Sequence, residues 1–297
     1  MEPKILVTGG TGMVGKNLQD ITKDSKNYSY VGSKDYDLLV YENALKMIQK
    51  IQPTHVVHLA ADVGGLYKHL NDKMTIGLRN ILLNNNVLKA ALECEVKNVI
   101  AISSTCVFPT KKSCFTEEDM FEGEPHHSNA EYAMSKRLMQ LQIDKVRRTN
   151  QYNWFTLIPT NLYGPHDNFG EGGHVIPQLI AKAVKEGPLK VFGDGSAKRQ
   201  FLYTPDFARI ILKCIITPPA TNKMICAPKE EYTIAEVAKK IKDNIEFDTS
   251  YPNGQPRKYA TSLYLEKWLN DPNFFTELEV GLKQTMKIEG LKFLQQL

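Results

Sequence analysis

The sequence predicts an α/β fold in which a doubly wound parallel sheet is followed by a smaller C-terminal α/β lobe. Three observations lead to this prediction. Short apolar runs alternate with helical patterns through the first half of the chain, a glycine-rich segment follows the first run, and the alternation stops after Gly164. Strands that are apolar throughout and separated by helices are typical of a parallel sheet covered on both faces. Right-handed crossovers then wind the sheet in both directions.

The predicted elements alternate regularly up to residue 164. In chain order they are the strand KILVTGG, a helix over 13–21, the strand YSYVGS, a helix over 41–51, the strand HVVHLAA, a helix over 74–93, the strand NVIAISS, a helix over 129–148 and the strand WFTLIP. Beyond them, GPHDNFGEGGH is a loop, followed by mixed elements separated by turn residues. We therefore expect one domain over 1–164 and a lobe formed mainly by 165–297, with 200–216 returning to the first domain.

The composition is that of an ordinary globular protein. Of the 297 residues, 42% are apolar and 24% are charged, and the net charge of +4 is too small and dispersed to suggest a nucleic-acid partner. No apolar run is long enough to cross a membrane, and the first strand begins too early to leave room for a signal peptide. The five cysteines lack metal-binding spacing, so we expect no metal, reduced thiols and a cytoplasmic location.

The glycine-rich segment after the first strand has the spacing of a dinucleotide-binding loop. Gly10, Gly12 and Gly15 fit G-x-G-x-x-G, and Gly9 gives the alternative G-x-x-G-x-x-G spacing. The segment opens a helix, and glycines in this context permit a tight turn and a close approach of the backbone to a pyrophosphate. We expect a Rossmann-type domain whose loop contacts the cofactor through Gly9, Gly10, Thr11, Gly12, Met13, Val14 and Gly15.

The end of the second strand favours NADP(H) over NAD(H). A domain specific for NAD usually places an acid there for the ribose hydroxyls. Here Ser33 and Lys34 come first, and a hydroxyl with a cation suits a 2′-phosphate, although Asp35 lies next to them. Asp37 and Leu38 are expected to flank the adenine, with capping of the following helix as the alternative role of Asp37.

Two residues in the helix over 129–148 have the spacing of a reduction site. Tyr132 and Lys136 are four residues apart, so their side chains share one helix face. A lysine ammonium beside a phenol lowers the pKa of the phenol, which then exchanges a proton with a carbonyl or alcohol during hydride transfer. Ser104 ends the fourth strand and is expected to hold the substrate oxygen beside Tyr132. Together with the glycine-rich loop, these residues indicate a nicotinamide-dependent oxidoreductase.

These motifs resemble the extended short-chain dehydrogenase/reductase family. The segments PTHVVHLAADVGGL, SSTCVFP, IPTNLYGPHDNF and GHVIP, and more weakly NGQPRK, narrow the resemblance to the epimerase-reductases of a GDP-linked 4-keto-6-deoxy sugar. The resemblance covers residues 4–207. It implies inversion at C3 and C5 of GDP-4-keto-6-deoxy-D-mannose, followed by NADPH-dependent reduction at C4. It also implies a homodimer joined through the long helices of the sheet domain.

The resemblance implies a role for each candidate catalytic residue. Inversion beside a ketone needs a base on one face of the enolate and an acid on the other, and the resemblance places Cys106 in the first role and His174 in the second. A thiol and an imidazole both change protonation near neutral pH with modest tuning. Tyr132 would protonate the keto oxygen as hydride arrives, Lys136 would bind the nicotinamide ribose, and Ser104 would hold the same oxygen.

The remaining contacts follow from the same resemblance. Cofactor contacts are expected at the carboxyl ends of the third and fifth strands, where ligands of such sheets bind; they comprise Leu59, Ala60, Ala61, Pro159, Thr160, Asn161 and Leu162, with Lys136 and His174. Substrate contacts are expected from Ser104, Thr105, Cys106, Tyr132, Asn161, Lys182, Phe192, Arg199, Arg257 and Lys258. Cations suit the diphosphate and an aromatic ring suits stacking, although the family often has tryptophan at position 192.

Several alternative functions stay open. A sugar-nucleotide 4,6-dehydratase usually has an Asp-Glu pair after the strand-ending hydroxyl, where this chain has Thr105 and Cys106. A 4-epimerase retains NAD and needs no cysteine–histidine pair. A non-catalytic NADP-binding sensor has no need of Ser104, Tyr132 and Lys136 together. An epimerase-reductase for another nucleotide sugar would share all of these residues.

The cysteines and histidines outside these motifs carry no functional assignment. An isolated cysteine is more often a small buried hydrophobe than a base, and a loop histidine is usually solvated. This interpretation applies to Cys94, Cys114, Cys214, Cys226, His55, His58, His69, His126 and His127.

Overall fold

The computed structural model describes residues 2–64, 73–170, 172–251, 253 and 255–294. Gly65, Leu66 and Gly254 of the motifs quoted above, and His69, lie outside the described residues. The strands are β1 (Ile5–Thr8), β2 (Tyr28–Val31), β3 (His55–His58), β4 (Asn98–Ile102), β5 (Cys114–Phe115), β6 (Asn153–Pro159), β7 (Asn161–Tyr163), β8 (Leu189–Phe192), β9 (Lys198–Arg199), β10 (Phe201–Tyr203), β11 (Lys223–Cys226), β12 (Tyr232–Thr233), β13 (Ile245–Asp248) and β14 (Arg257–Ala260).

The helices lie between these strands. They are α1 (Met13–Thr22), α2 (Tyr41–Ile51), α3 (Lys73–Glu93), α4 (Ala130–Asn150), α5 (Val175–Ala183), α6 (Thr204–Ile216), α7 (Ile234–Ile241), α8 (Leu265–Leu269) and α9 (Leu278–Leu294), with short 3₁₀ helices at Thr105–Val107 and Glu117–Phe121. No helix in the described ranges combines the length and apolar character needed to cross a membrane.

The central sheet confirms the predicted fold class. Six strands of the described chain pair in the order β11-β6-β4-β3-β1-β2, and every neighbouring pair in this sheet is parallel. The order runs outward from β1 in both directions, which defines a doubly wound sheet with a switch point between β1 and β3. The carboxyl ends of β1, β3, β4 and β6 therefore meet at one edge, where the candidate site lies.

Helices cover both faces of this sheet, so its strands are apolar on both sides. On one face, Val7 packs with Leu18 of α1 and Phe207 of α6. On the other face, Leu6 packs with Met47 of α2 and Met139 of α4. Successive side chains of a strand point to opposite faces, which is why neighbouring residues of β1 belong to different cores.

Several elements beyond residue 164, including β11 and α6, pack on the first domain. β11 pairs in parallel with β6 and extends the sheet by one strand that the sequence analysis did not assign. α6 covers the sheet beside α1, within the segment 200–216 that was expected to return to this domain. A separate apolar cluster, which includes Leu179, Val191 and Val237, forms the core of the remaining lobe. The division of the chain into domains at residue 164 stays a prediction.

Candidate active site

A cavity of about 890 Å³ opens between the carboxyl edge of the sheet and the lobe. The predicted site residues that line it are Gly9, Thr11, Gly12, Met13, Val14, Gly15, Ser33, Asp37, Leu38, Leu59, Ala60, Ala61, Ser104, Thr105, Cys106, Tyr132, Lys136, Pro159, Thr160, Asn161, Leu162, His174, Lys182, Phe192, Arg199 and Lys258. Gly10, Lys34 and Arg257 are predicted site residues that do not line it. The tertiary structure thus brings residues from both halves of the chain to one wall.

The glycine-rich loop has the close backbone contacts that the motif predicts. Gly9 has a φ of +69°, and a Cβ there would lie 2.7 Å from the backbone nitrogen of Ala60. A Cβ on Gly15 would lie 2.5 Å from the Gly10 carbonyl oxygen. Gly10 itself packs against β2, because a Cβ on it would meet the Tyr30 Cβ at 2.8 Å. Side chains at these positions would clash with neighbouring backbone and with β2, so this tight turn between strand and helix, which is the geometry of a dinucleotide-binding loop, requires glycine.

The turn after β2 differs from the prediction at Lys34. Its side chain is exposed and does not line the cavity, whereas Ser33 does. The Asp35 carboxylate accepts a hydrogen bond from the Gly32 amide at 2.8 Å, which closes the turn and directs Lys34 toward solvent. The carboxylate of Asp35 is therefore engaged by the backbone of its own turn.

Tyr132 and Lys136 are both buried on the cavity-facing side of α4. Lys136 Nζ lies 5.9 Å from the centre of the Tyr132 ring. Burial lowers the pKa of Lys136 from 10.5 to about 7. Burial, with a smaller contribution from Cys106, raises the pKa of Tyr132. This direction is opposite to the one expected from the lysine, because desolvation of the phenol outweighs its attraction to the ammonium.

The end of β4 turns into a 3₁₀ helix that presents Ser104 and Cys106 to the cavity. The Oγ atom of Ser104 accepts a hydrogen bond from the Cys106 amide at 3.2 Å and thereby caps this helix. Because a hydroxyl can accept and donate at once, the proton of Ser104 is available to a substrate oxygen. Two donors face the Sγ atom of Cys106: the Nδ2 of Asn129 at 2.9 Å and the Nζ of Lys258 at 3.5 Å.

His174 occupies the N-terminal cap of α5 on the lobe side of the cavity. Its Nδ1 atom lies 3.6 Å from Oδ1 of Asp167, a carboxylate whose side chain is only 4% exposed. The other oxygen, Oδ2, is buried without a hydrogen-bond partner among the described residues. The carboxylate thus lies beside one ring nitrogen of His174, which leaves the other nitrogen for the cavity. Sequence reasoning missed Asp167.

Aromatic and cationic side chains form the far end of the cavity. The Phe192 ring stacks on Tyr251 with 3.8 Å between centroids, and Lys182 Nζ lies 3.2 Å from the Phe192 centroid. Burial lowers the pKa of Lys182. Arg199 also lines the cavity, and burial lowers its pKa while the Cys106 thiol acts in the opposite direction. Tyr251 was not predicted; its ring packs on Phe192 but does not line the cavity.

Arg257 and Lys258 are adjacent in β14, so their side chains point to opposite faces of the strand. Lys258 is the register partner of Arg199 in β9, so both side chains project from the same face toward the cavity. Arg257 projects from the other face and forms an ion pair with Glu231, with Nε 2.8 Å from Oε2. Arg257 therefore does not line the cavity, and its contact with the substrate stays a prediction. Because side chains alternate along a strand, Lys258 faces the cavity and Arg257 faces away from it.

Further residues line the cavity that sequence reasoning did not select. Arg79 of α3 forms an ion pair with Asp62 at 3.0 Å, near the cofactor loop. His126 was expected to be solvated, but it is half-buried in the cavity wall. Burial first, and then the neighbouring His127, Lys258 and Arg199, lower its pKa. No short sequence pattern marks these side chains, because their relation to the site depends on long-range packing.

The unassigned cysteines and His58 do not line this cavity. Cys214 and Cys226 are buried, Cys94 is partly buried and Cys114 is exposed, and all of them are free thiols. His58 is buried in β3, with Nδ1 2.8 Å from Thr8 Oγ1 and Nε2 3.1 Å from Asn84 Oδ1. It is thus a hydrogen-bonded core residue.

The fold and this set of residues define a nucleotide-dependent epimerase, dehydratase or reductase. Residues 5–227 match the NAD dependent epimerase/dehydratase family, and the chain belongs to this family. A probable GDP-L-fucose synthase of Drosophila melanogaster is 36% identical over 96% of both chains. A GDP-L-fucose synthase of Dictyostelium discoideum is 36% identical over 95% of this chain and 93% of its own.

A solved structure agrees with these relatives. The crystal structure of a GDP-L-fucose synthetase from Naegleria fowleri bound to NADP is 38% identical to this chain and has a TM-score of 0.87. The similarity covers 98% of this chain and 93% of that one. The resemblance therefore extends through the lobe and past residue 207, where the sequence motifs weaken.

Proposed function

We propose that this protein converts GDP-4-keto-6-deoxy-D-mannose to GDP-L-fucose by 3,5-epimerisation and NADPH-dependent 4-reduction. One observation carries the proposal: a single cavity is lined by Ser104, Tyr132 and Lys136 together with Cys106 and His174. The first three residues suit reduction of a ketone, and the last two suit proton transfer on both sides of an enolate. The near-full-length similarity to GDP-L-fucose synthases supports the same substrate.

NADP(H) is the proposed cofactor. The closely packed glycines of the loop leave room for its diphosphate, and Ser33 at the cavity edge suits the 2′-phosphate. The similar structure from Naegleria fowleri is bound to NADP. When bound, NADPH supplies the hydride that reduces C4.

Epimerisation would use proton transfer at carbons beside the keto group. The thiolate of Cys106 takes a proton from C3 or C5, the electron pair of the C–H bond moves into the ketone, and an S–H bond forms. His174, held near Asp167, gives a proton to the opposite face of the enolate. Exchange with solvent restores both groups before the second carbon reacts.

Reduction would use the residues around the keto oxygen. Ser104 donates a hydrogen bond to this oxygen, and Tyr132 transfers its proton to it as the carbonyl carbon becomes an alcohol carbon. Lys136, buried one helical turn from Tyr132, favours the phenolate that remains and holds the nicotinamide ribose.

The GDP moiety would occupy the far end of the cavity. Lys182 and Arg199 would neutralise the diphosphate, and Phe192, which packs on Tyr251, would offer an aromatic surface to the guanine. Lys258, next to Cys106, would contact the sugar.

We also propose a cytoplasmic homodimer. The five cysteines are free thiols, which suits a reducing compartment. An apolar face crosses α3 and α4, with Leu78, Leu82, Met134, Leu138 and Leu141 between 40% and 53% exposed. A second copy of this face would cover these side chains, and a contiguous exposed apolar surface is typical of such interfaces.

The test is an assay with purified protein, NADPH and GDP-4-keto-6-deoxy-D-mannose. We expect the absorbance of NADPH at about 340 nm to fall and mass spectrometry to detect a GDP-deoxyhexose two hydrogens heavier than the substrate. Product NMR should show inversion at C3 and C5. No oxidation of NADPH would refute the function. Reduction without inversion would identify a simple 4-reductase, and oxidation only with another GDP-keto sugar would identify an epimerase-reductase of different specificity.

A further inference from the structure

Asn129 stands at the N-terminal cap of α4 but does not cap the helix. Asparagine is among the preferred residues at this position, where a side-chain cap contributes about 1 kcal/mol. The structure gives Asn129 no side-chain cap hydrogen bond. Its amide turns to the end of β4, where Nδ2 donates to Sγ of Cys106 at 2.9 Å. The side chain of Asn129 therefore makes a hydrogen bond to Cys106 instead of a capping hydrogen bond to its own helix.

The other end of the same amide has no hydrogen-bond partner among the described residues. Oδ1 of Asn129 is buried there and accepts no hydrogen bond. A buried acceptor without a partner is destabilising, so such an atom usually awaits a donor. Because Asn129 lines the cavity beside Cys106, a molecule bound in the cavity can supply this donor.

Two positively charged side chains lie near the sulphur of Cys106. Lys258 of β14 lies 3.5 Å from Sγ. Arg199 of β9 also interacts electrostatically with the thiol. An amide next to a thiolate presents Nδ2 rather than Oδ1, because only Nδ2 donates. The orientation of Asn129 is therefore the one that a thiolate requires.

We propose that Asn129 is the positioning residue of the proton-abstracting thiol, and that it joins the base to the substrate. Its Nδ2 holds Sγ of Cys106 in the thiolate form, and its Oδ1 accepts a hydrogen bond from a sugar hydroxyl next to the reacting carbon. This inference rests on the proposed function. During abstraction the C–H bond breaks, its electron pair enters the keto group, and the proton forms an S–H bond that Asn129 keeps aligned.

The test uses Asn129→Ser and Asn129→Asp. Both residues are good helix caps, so α4 should still begin normally. Serine is too short to reach Sγ, and aspartate keeps the acceptor but replaces the donor by a negative charge. The primary readout is the rate at which iodoacetamide alkylates Cys106 between pH 6 and 10, followed by peptide mass spectrometry without substrate. The exposed Cys114 serves as internal reference.

We expect the midpoint of the Cys106 profile to rise by about one pH unit in Asn129→Ser, which is about a tenfold lower rate at pH 7. It should rise further in Asn129→Asp, and the Cys114 profile should not move. In turnover assays, KM for the GDP-sugar should rise several-fold in Asn129→Ser and less in Asn129→Asp. Deuterium exchange from solvent into the sugar should fall in both.

An unchanged Cys106 midpoint in both variants would overturn the inference. A shifted midpoint with an unchanged KM in Asn129→Ser would overturn the substrate contact of Oδ1. The alkylation profile needs no substrate, so failure of the proposed function would appear separately, as absence of NADPH oxidation in the parent protein. Turnover in the parent with no midpoint shift would reject this inference alone.

Discussion

The Nζ atom of Lys258 lies 3.5 Å from the Sγ atom of Cys106, although the two residues are 152 positions apart in the chain. The contact arises because β14 pairs with both β5 and β9 and so runs past the end of β4. A cation at this distance stabilises a thiolate more than a thiol. The lobe therefore places a cation next to the thiol that we propose as the base.

Replacing Lys258 tests this contribution. Lys258→Met is expected to slow the alkylation of Cys106 by iodoacetamide at pH 7 about tenfold, because thiolate is the reactive form. Lys258→Arg keeps the cation and should restore most of the rate. As a matched control, Lys229→Met removes a lysine from an exposed ion pair with Glu266 and should leave the rate at the parent value. Equal rates in Lys258→Met and the parent would contradict the prediction.

Single mutations should separate the residues proposed for epimerisation from those proposed for reduction. Cys106→Ser is expected to reduce solvent deuterium exchange at C3 and C5 at least about 100-fold, while hydride transfer to an already epimerised ketone is retained. Tyr132→Phe should do the reverse, because the phenol serves the keto oxygen during reduction. Exchange is measured by mass spectrometry and hydride transfer by NADPH absorbance. Loss of both steps to the same extent in Cys106→Ser would reject the thiol as the base.

Lys34 should contribute to cofactor choice in spite of its exposure. Its ammonium is exposed next to Ser33, so its attraction to a 2′-phosphate is worth about 1 kcal/mol at most. We expect Lys34→Met to raise KM for NADPH about fivefold, to leave KM for NADH unchanged, and to lose its effect at high salt. The distant Lys46→Met on α2 is the control. Equal changes for both cofactors would refute a phosphate-specific role.

His58 should make stability pH-dependent on the acid side. Burial first, and then the charge of Lys136, lower its pKa from 6.5 to about 3. The unfolded chain therefore binds a proton between pH 6.5 and 3 that the folded protein rejects, so the free energy of unfolding decreases as pH falls. This contribution is about 1.4 kcal/mol per pH unit. His58→Gln should remove it, as measured by urea unfolding at pH 4.5, 5.5, 6.5 and 7.5.

Comparing the parent with His58→Gln separates the contribution of His58 to the free energy of unfolding from that of the carboxylates, because the carboxylates titrate in both proteins. Below pH 6.5 the stability difference between parent and His58→Gln should shrink with every unit of acidification. A difference that is constant from about pH 7.5 to 4.5 would show that the folded protein accepts the proton on His58 as readily as the unfolded chain.

The apolar face of α3 and α4 should hold two copies together. Leu82 and Leu141 lie on this face, 46% and 52% exposed. The double substitution Leu82→Glu with Leu141→Glu is expected to yield a monomer in sedimentation velocity, because it places buried charges in the interface. Ile216→Glu changes an equally apolar side chain that is 82% exposed elsewhere and should leave the dimer intact. A monomeric parent protein would refute the homodimer.

Patterns within single elements made much of the site predictable. The glycine spacing and its position between a strand and a helix identified the cofactor loop, since a tight βα turn needs those residues in that order. Tyr132 and Lys136 could be paired because four residues span one helical turn. Ser104 and Cys106 could be placed because parallel strands end at the edge where ligands bind.

Relations between distant elements were predicted less well. Arg257 and Lys258 are adjacent in sequence, and only the pairing of β14 with β9 determines which side chain faces the cavity. Lys34 has a favourable sequence position, yet the turn closed by Asp35 directs it to solvent. β11 was missed as a sheet strand because its partner β6 precedes it by about 70 residues and the intervening alternation is irregular.

The sequence by itself determined the doubly wound fold, and it predicted the dinucleotide loop and the residues proposed for reduction, while the family resemblance added those proposed for proton transfer. These features depend on local periodicity and on chemistry that a few neighbouring residues carry. Only the tertiary structure decided how the thiol is surrounded: Asn129 turns from its helix to Sγ, and Lys258 reaches it from another strand. Such contacts depend on how separate elements pack against one another, and no spacing along the chain encodes the distance between them.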